Sequence, residues 1–535
     1  MLLLALLVCG IVPALAAQTE FAVTTTHYMA TDAATRIIEQ GGTAADAAVA
    51  VAAVLSVVEG YYSHALGGGL WALYYDAESD TVLAADGAGP VPEDAYLDHY
   101  LTPEGAANGM HWSIVPGAWS AWIQLLQEFG SLELGEILAD AIRIAENGFP
   151  VSAEMARVLS WGSYARDIRE WEFTREIYIN ADGSAKRAGQ IITQPRIART
   201  FRELARTFNE HRDRGYGAAL QAAHDYMYRG PIAQSIVEYS EDNGGFFQMS
   251  DFYNYEAELV EPLSVDYRGV TVYQNPPNSQ GITQLIALNI LEGFDFGEWT
   301  PDSPAAIHAQ VEAIKLANAD KHYHVGDPDW MDIPLDTLLS EAHATDQRDR
   351  IDFNRALEWP IADILTNRSE SAHHTTTFSI VDRFGSAIAV TTSLGAQVLV
   401  AGPSGVHMNH RMRHMSLVEG TANVIEGGKK PRHTSNPYMA FLGDELYFLG
   451  GNTGVDTQPQ AQTTQVVNVV DFGLSAQEIV ERPRFVTTAF PQSRSNLRLK
   501  NLAMEWGTPD WVRNSLLRMG HNVTSSGAVW GWGNM

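Results

Sequence analysis

Residues 44–58 read AADAAVAVAAVLSVV, an Ala- and Val-rich run that is apolar on nearly every side. A helix of this kind has no face to show to water, so it must lie buried between layers. The preceding helix, Thr31–Glu39, closes at Gly41-Gly42, and the short strand Phe21–Thr26 stands before it. Downstream, Gly67-Gly68-Gly69 leads into the alternating strand Leu70–Tyr75, and Asp76–Asp80 turns the chain back into Thr81–Ala84. A helix pair followed by a hairpin points to mixed α and β layers.

Residues 116–160 and 196–240 read as mainly helical, with stops at Asn147-Gly148 and Asp242–Gly245. Strand Gly269–Tyr273 meets the turn Asn275–Gly281, which opens a helix through Leu291, and helix 303–321 follows. Residues 327–366 read as loop with short helices. From Thr375 the period-2 signal dominates, in Thr375–Val381, Ser386–Thr392, Tyr438–Phe441 and Glu445–Leu449, followed by helices at 458–470 and 476–481.

Charge excludes whole classes of function. The 535 residues carry 64 acidic against 35 basic side chains, a net of −29, which repels phosphate backbones and anionic lipid, so neither nucleic acid nor membrane is an expected partner. The one cysteine, Cys9, excludes an intrachain disulfide framework. It falls within LLLALLVCGIVPALA at 2–16, which ends in the small-residue pattern Ala14-Leu15-Ala16, the form of an export signal although no basic residue precedes it. The reading is a signal peptide at 1–16 and a soluble secreted or periplasmic protein.

The stretch Ser371-Ala-His-His-Thr375-Thr376-Thr377 carries the chemistry. A hydroxyl residue stands at a strand start after an exposed loop. Were the bond before Thr375 cut, that residue would hold a free α-amine of pKa ~8 beside its own hydroxyl, so that nucleophile and general base come from one residue. By chemistry alone Thr376 and Thr377 are rivals, and a Thr-rich start is also how an ordinary strand begins.

The rest of the chain resembles the γ-glutamyltranspeptidase family of N-terminal-nucleophile hydrolases. The likeness is carried in order by Gly41–Val49, Gly67–Gly69, Val115–Gly117, Ala145–Phe149, Tyr228–Ala233, Gly244-Gly245 with Asp251, Tyr267–Gly269, Asn275–Gly281 and Leu288–Glu292. It continues through Thr375–Gly385 with Thr391, Pro431, Pro437, Gly450–Gln460, Asp471–Gly473 and Arg482–Phe485. The resemblance implies a four-layer αββα sandwich that self-cleaves between His374 and Thr375. A large subunit, 17–374, and a small subunit, 375–535, would remain together as a heterodimer. Matched by position, Thr375 is the nucleophile, Ser393 the hydroxyl that orients it, and Gly454 with Val455 the pair whose main-chain amides form the oxyanion hole. Val455 stands where the family has a second Gly. No metal or organic cofactor is implied.

The departures concern the acyl group. Family members acting on glutathione hold the γ-glutamyl carboxylate with an Arg after the first hairpin, and this chain has Asp86–Gly89 there. Asn409–Arg413 is basic where the family is acidic, and a Ser-Ser pair reads His433-Thr434. These features are similar to the acylase and amidohydrolase branch. Independently, Arg411, Arg413, Lys429, Lys430 and Arg432 oppose only Glu419 and Glu426 between His407 and His433, a patch suited to a carboxylate-bearing substrate. Arg411, Arg413, His433 and Thr434 are therefore the expected substrate-binding residues. His407, His410 and His414 have ligand spacing but no carboxylate beside them, which argues against a metal. The expected function is cleavage of γ-glutamyl or related carboxylate-bearing acyl amides through an acyl-enzyme. The alternatives are an acylase or amidohydrolase without γ-glutamyl activity, and a non-catalytic secreted solute-binding protein of the same fold.

Overall fold

The computed structural model describes residues 20–359, 375–395, 397–490 and 500–527. The expected signal peptide and His374 lie outside the described residues. Helices α1 (Tyr28–Glu39) and α2 (Ala44–Val58) form as the sequence requires, and every residue of α2 is buried. A capping box starts α2: the Thr43 hydroxyl accepts the Asp46 N–H at 3.2 Å, and the Asp46 carboxylate accepts the Thr43 N–H at 3.0 Å.

Ten strands build the two central sheets. Six come before Thr375: β1 (Ala22–Thr24), β2 (Gly69–Asp76), β3 (Thr81–Gly87), β4 (Glu258–Val260), β5 (Leu263–Tyr267) and β6 (Val270–Gln274). Four come after it: β7 (Thr376–Val381), β8 (Ala387–Ser393), β9 (Tyr438–Leu442) and β10 (Glu445–Gly450). One sheet runs β1-β7-β8-β2-β3-β4 and the other β10-β9-β6-β5. Their pairings are antiparallel. Trp71, Leu73, Ala84, Ala387 and Ala389 of the first meet Met439 and Phe441 of the second in one buried cluster between the sheets.

Helices cover both outer faces. With α1 and α2, α3 (Ala118–Phe129), α4 (Leu134–Asn147) and α5 (Pro195–His211) pack on the first sheet. Against the second lie α6 (Ile282–Glu292), α7 (Pro304–His324) and α8 (Gln458–Val470). The architecture is the expected αββα sandwich. Each sheet mixes strands from both sides of Thr375, so a cut at that residue would leave the two segments sharing one core.

The structure adds elements that the sequence pattern hides. The hairpin β5–β6 turns through Arg268 and Gly269, both at positive φ, and β5 is only five residues long, too short for its Leu263-Val265-Tyr267 alternation to stand out. β3 runs on to Gly87, past the apolar part that marks it. A three-stranded sheet of Phe485–Thr487, Asn501–Met504 and Asn522–Ser525 lies near the C-terminus. Among the described residues no helix is long and apolar enough to cross a membrane.

Candidate active site

Thr375 stands one residue before β7, and the β7–β8 register pairs Thr376 with Thr392, which brings Thr375 opposite Ser393. The Thr375 hydroxyl is buried and donates to Ser393 Oγ at 3.4 Å. Its two rivals are committed elsewhere. Thr376 donates at 3.1 Å to Glu59, which also takes the Thr26 hydroxyl at 2.8 Å, and Thr377 donates to the Val390 carbonyl at 2.9 Å. Glu59 was not marked by any sequence motif. Burial raises its pKa, opposed by the hydrogen bonds from Thr26 and Thr376.

Arg411 lies on the other side of Ser393. Its guanidinium is 1 % exposed and donates through Nη1 to Ser393 Oγ at 2.9 Å and through Nη2 to Thr434 Oγ1 at 2.8 Å. Nε has no partner among the described residues. Burial alone draws its pKa down to about 9. A cation held this far from water and answered only by hydroxyls is stabilised by any anion that reaches it.

His433 completes this wall. Its Nδ1 accepts the Ser435 N–H at 3.3 Å, and burial together with the Arg411 charge holds the ring well below the ordinary histidine range. The neutral ring therefore carries its proton on Nε2, an atom buried without a partner among the described residues. A Cβ added at Gly69 would lie 2.9 Å from that Nε2, and Gly69 is the strand partner of Ser393. The glycine thus makes room for the imidazole beside the Thr375–Ser393 pair.

Gly454 and Val455 form a left-handed turn, at φ 110° and 56°, just before α8. The Gly454 carbonyl accepts the Thr457 N–H at 3.0 Å and the Thr457 hydroxyl at 2.6 Å. The Val455 carbonyl accepts Gln280 Nε2 at 2.8 Å. Val455 takes a left-handed conformation that glycine adopts more readily. Gln280, its partner Lys321, and Asp456, which pairs with Lys321, are neighbours that the sequence alone did not single out. The Asn275–Gly281 turn marked the place of Gln280 but not its role.

The basic run from His407 to His433 does not gather at one surface. Arg413 donates to the carbonyls of Ala106 and Ala107 at 2.8 and 2.7 Å and to Asn108 Oδ1 at 3.2 Å, with its guanidinium 3.9 Å from the Trp112 ring. Arg432 donates to the carbonyls of Lys321 and Val325 at 3.1 Å, and Lys429 to that of Ala422 at 2.9 Å. Lys430 pairs with Asp86 at 2.8 Å. Thus Arg411, His433 and Thr434 are brought to the Thr375–Ser393 pair, while Arg413 is anchored on the loop 106–108. His407 bonds Tyr178 at 2.9 Å.

One further polar cluster has the makings of a metal site. His308, Glu312 and His521 are all buried, with ligand atoms within 4.8 Å of one another. Lys315 already sits 2.8 and 2.9 Å from the two Glu312 oxygens, and His308 Nδ1 meets His521 Nε2 at 2.8 Å. A divalent cation would add two charges to a set in which Lys315 already balances Glu312, so the residues fit a hydrogen-bonded network better than an ion.

Comparisons with known proteins identify the family. The family model for γ-glutamyltranspeptidase matches residues 30–535. The glutathione hydrolase-like YwrD proenzyme of Bacillus subtilis (strain 168) is 34% identical over 477 residues, covering 86% of this chain and 83% of that protein. The acylase ACY 1 proenzyme of Pseudomonas sp. (strain SE83) is 29% identical over 526 residues, covering 95% and 88%. The crystal structure of cephalosporin acylase from Bacillus halodurans is similar with a TM-score of 0.81 at 28% identity, over 96% of this chain and 90% of that one. These relatives are enzymes, which sets aside a non-catalytic binding protein. With the match running almost from end to end and the fold in agreement, the chain belongs to the γ-glutamyltranspeptidase family and is an enzyme of that family.

Proposed function

We propose that the chain is a self-processing N-terminal-threonine amidohydrolase that cleaves acyl amides whose acyl group carries a carboxylate. The precursor, freed of residues 1–16, breaks between His374 and Thr375 to give subunits 17–374 and 375–535. In turnover the Thr375 hydroxyl attacks the amide carbonyl and its own α-amine takes the proton. The oxyanion rests on the main-chain amides at Gly454 and Val455, each worth roughly 3–4 kcal/mol in the transition state. The ammonium returns its proton to the departing amine. Water then attacks the acyl-threonine ester as the amine takes its proton, and the ammonium passes that proton to the departing Thr375 oxygen, releasing the acid and restoring the hydroxyl.

The observation that carries the carboxylate is Arg411, a buried cation two hydrogen bonds from the nucleophile, at 2.9 Å to Ser393 and 3.4 Å on to Thr375. His433 Nε2 adds a neutral donor, and Thr434 orients the guanidinium. Arg413, fixed on the 106–108 carbonyls, acts here as support for the loop that presents Arg411.

The pairing of Asp86 with Lys430 at 2.8 Å favours an acylase or amidohydrolase without γ-glutamyl activity. The place after the first hairpin where an Arg would hold the γ-glutamyl carboxylate is occupied by an acid with its own counter-ion.

A denaturing gel with N-terminal sequencing, and a panel of γ-glutamyl, glutaryl, succinyl and butyryl p-nitroanilides, tests the reading. The expected result is two fragments, one beginning at Thr375, with glutaryl or succinyl amides turned over at least tenfold better than butyryl. Thr375→Ala should remain one chain and be inactive. A single unbroken wild-type chain, or equal rates on charged and neutral acyl groups, overturns it.

A further inference from the structure

Two loops matter to the proposed site: the segment 432–434, which brings His433 and Thr434 to the Thr375–Ser393 pair, and the turn 454–456, read above as the oxyanion site. One side chain holds both. Gln280 is 1 % exposed, and its Nε2 donates to the Thr434 carbonyl at 2.9 Å and to the Val455 carbonyl at 2.8 Å. Its backbone N–H donates to the His433 carbonyl at 3.0 Å. A carboxamide has two N–H donors, and here both are used across the gap between the loops.

The carboxamide is itself held from behind. Its Oε1 accepts from Lys321 Nζ at 3.2 Å, and that ammonium pairs at 2.9 Å with Asp456, the residue after Val455. Lys321 is 1 % exposed and lies in the last turn of α7, whose carbonyl at the same residue receives Arg432 at 3.1 Å. The end of one helix therefore anchors both loops, and the ring Lys321–Gln280–Val455–Asp456–Lys321 closes on itself. Burial lowers the Lys321 pKa and the Asp456 charge opposes that shift, as expected where a pair is taken out of water together.

We infer that Gln280 is a positioning residue that fixes the oxyanion turn at 454–455 relative to the carboxylate-binding wall at 433–434, with Lys321 and Asp456 holding its carboxamide in register. Val455 at φ 56° is a conformation its side chain disfavours. Its carbonyl is held by Gln280 and the next side chain by Lys321, so the direction of the peptide amides is imposed from outside the turn. The inference rests on the proposed reading of that turn as the oxyanion site.

The test is Gln280→Met, which keeps length and loses both donors, with Gln280→Glu as a second variant of nearly the same shape. Each is purified in full length. The self-cleaved fraction is measured by gel, the melting midpoint by fluorescence, and kcat and KM per cleaved chain on glutaryl and butyryl p-nitroanilides. The expected result is a fall in kcat of about tenfold or more on both probes, since misplacing an oxyanion donor approaches the loss caused by removing one. KM should rise for the glutaryl probe alone. A residue that only stabilises the fold would lower the cleaved fraction or the midpoint and leave kcat per cleaved chain within twofold of wild type in whichever variant folds; that outcome overturns the inference. A wild type that turns over neither probe overturns the functional reading and this one with it.

Discussion

Asp382 Oδ2 accepts the backbone N–H of Ala44 at 2.8 Å, so the β7–β8 turn is bonded to the first residue of α2, a helix buried along its whole length. The other oxygen of Asp382 takes the N–H groups of Phe384 and Ser386 at 2.9 and 3.0 Å. One carboxylate thus shapes the β7–β8 turn and supplies an anion at a helix N-terminus, where unpaired N–H groups favour negative charge. The strand that follows Thr375 is fixed at its far end to α2.

Asp382→Asn keeps the turn acceptor but sets a donor against the Ala44 N–H. Leaving a buried donor unmet costs about 1–3 kcal/mol, so urea unfolding should show a loss of ~2 kcal/mol, with Asp382→Ala losing more. Both variants should self-cleave more slowly. A loss below 0.5 kcal/mol in either would mean that water replaces the bond at no cost (a site less closed than its burial indicates).

Arg411→Met should trade specificity for stability. The guanidinium is held at a pKa of about 9 by burial, so below that pH the unfolded chain binds its proton more tightly and the charge disfavours folding. Replacing it with an apolar side chain should raise stability at pH 7 by about 1–2 kcal/mol. Removing the partner of a desolvated carboxylate costs about 2 kcal/mol or more, so KM for a glutaryl amide should rise about thirtyfold while a butyryl amide is unaffected. Equal KM changes on the two amides would remove Arg411 from substrate recognition.

Much of the fold was legible because its signals are local. The unbroken apolar run of Ala44–Val58 demanded burial, and the period-2 runs at Leu70–Tyr75 and Thr375–Val381 marked strands, which the structure buries on both faces between helices and the second sheet. The site was less legible because its bonds join distant parts of the chain. Arg411 and Arg413 are indistinguishable in sequence, yet one turns inward to Ser393 and Thr434 and the other onto Ala106–Asn108. Gln280, Lys321 and Asp456 carry no common motif, and only the approach of α7 to the 454–456 turn brings them together. Selecting Thr375 over its two neighbours rested on the family spacing; the three hydroxyls part company only in the structure, Thr375 toward Ser393, Thr376 toward Glu59 and Thr377 toward the Val390 carbonyl.

Acid should loosen the C-terminal region through the buried His308–His521 pair. Burial first, then nearby positive charge, holds His308 at about 4 and His521 at about 3, against an ordinary 6.5. A histidine whose folded pKa is lowered contributes its stability fully above 6.5, and loses it as pH falls toward the folded value, because unfolding then takes up a proton. Each such ring should cost about 1.4 kcal/mol per pH unit between pH 6.5 and 4. His521→Gln should flatten the wild-type curve by about that slope, measured by urea unfolding at steps of half a pH unit. Parallel curves for wild type and variant would show the ring to be solvated in solution.

Val455→Gly asks whether the side chain at the oxyanion turn matters. A non-glycine residue in the left-handed region costs about 1–2 kcal/mol, and glycine returns part of that gain as chain entropy, so the variant should be more stable by about 0.5–1 kcal/mol. The proposed donor is main chain, hence kcat per cleaved chain should stay within about threefold of wild type. Val455→Pro removes the N–H itself and cannot adopt φ 56°, so it should lose at least a hundredfold in kcat. The contrast separates the amide from the side chain. If Val455→Gly instead lost more than tenfold in kcat while gaining stability, the Cβ would be holding the turn in its working shape, and the strain at Val455 would belong to catalysis rather than to tolerance of an altered residue.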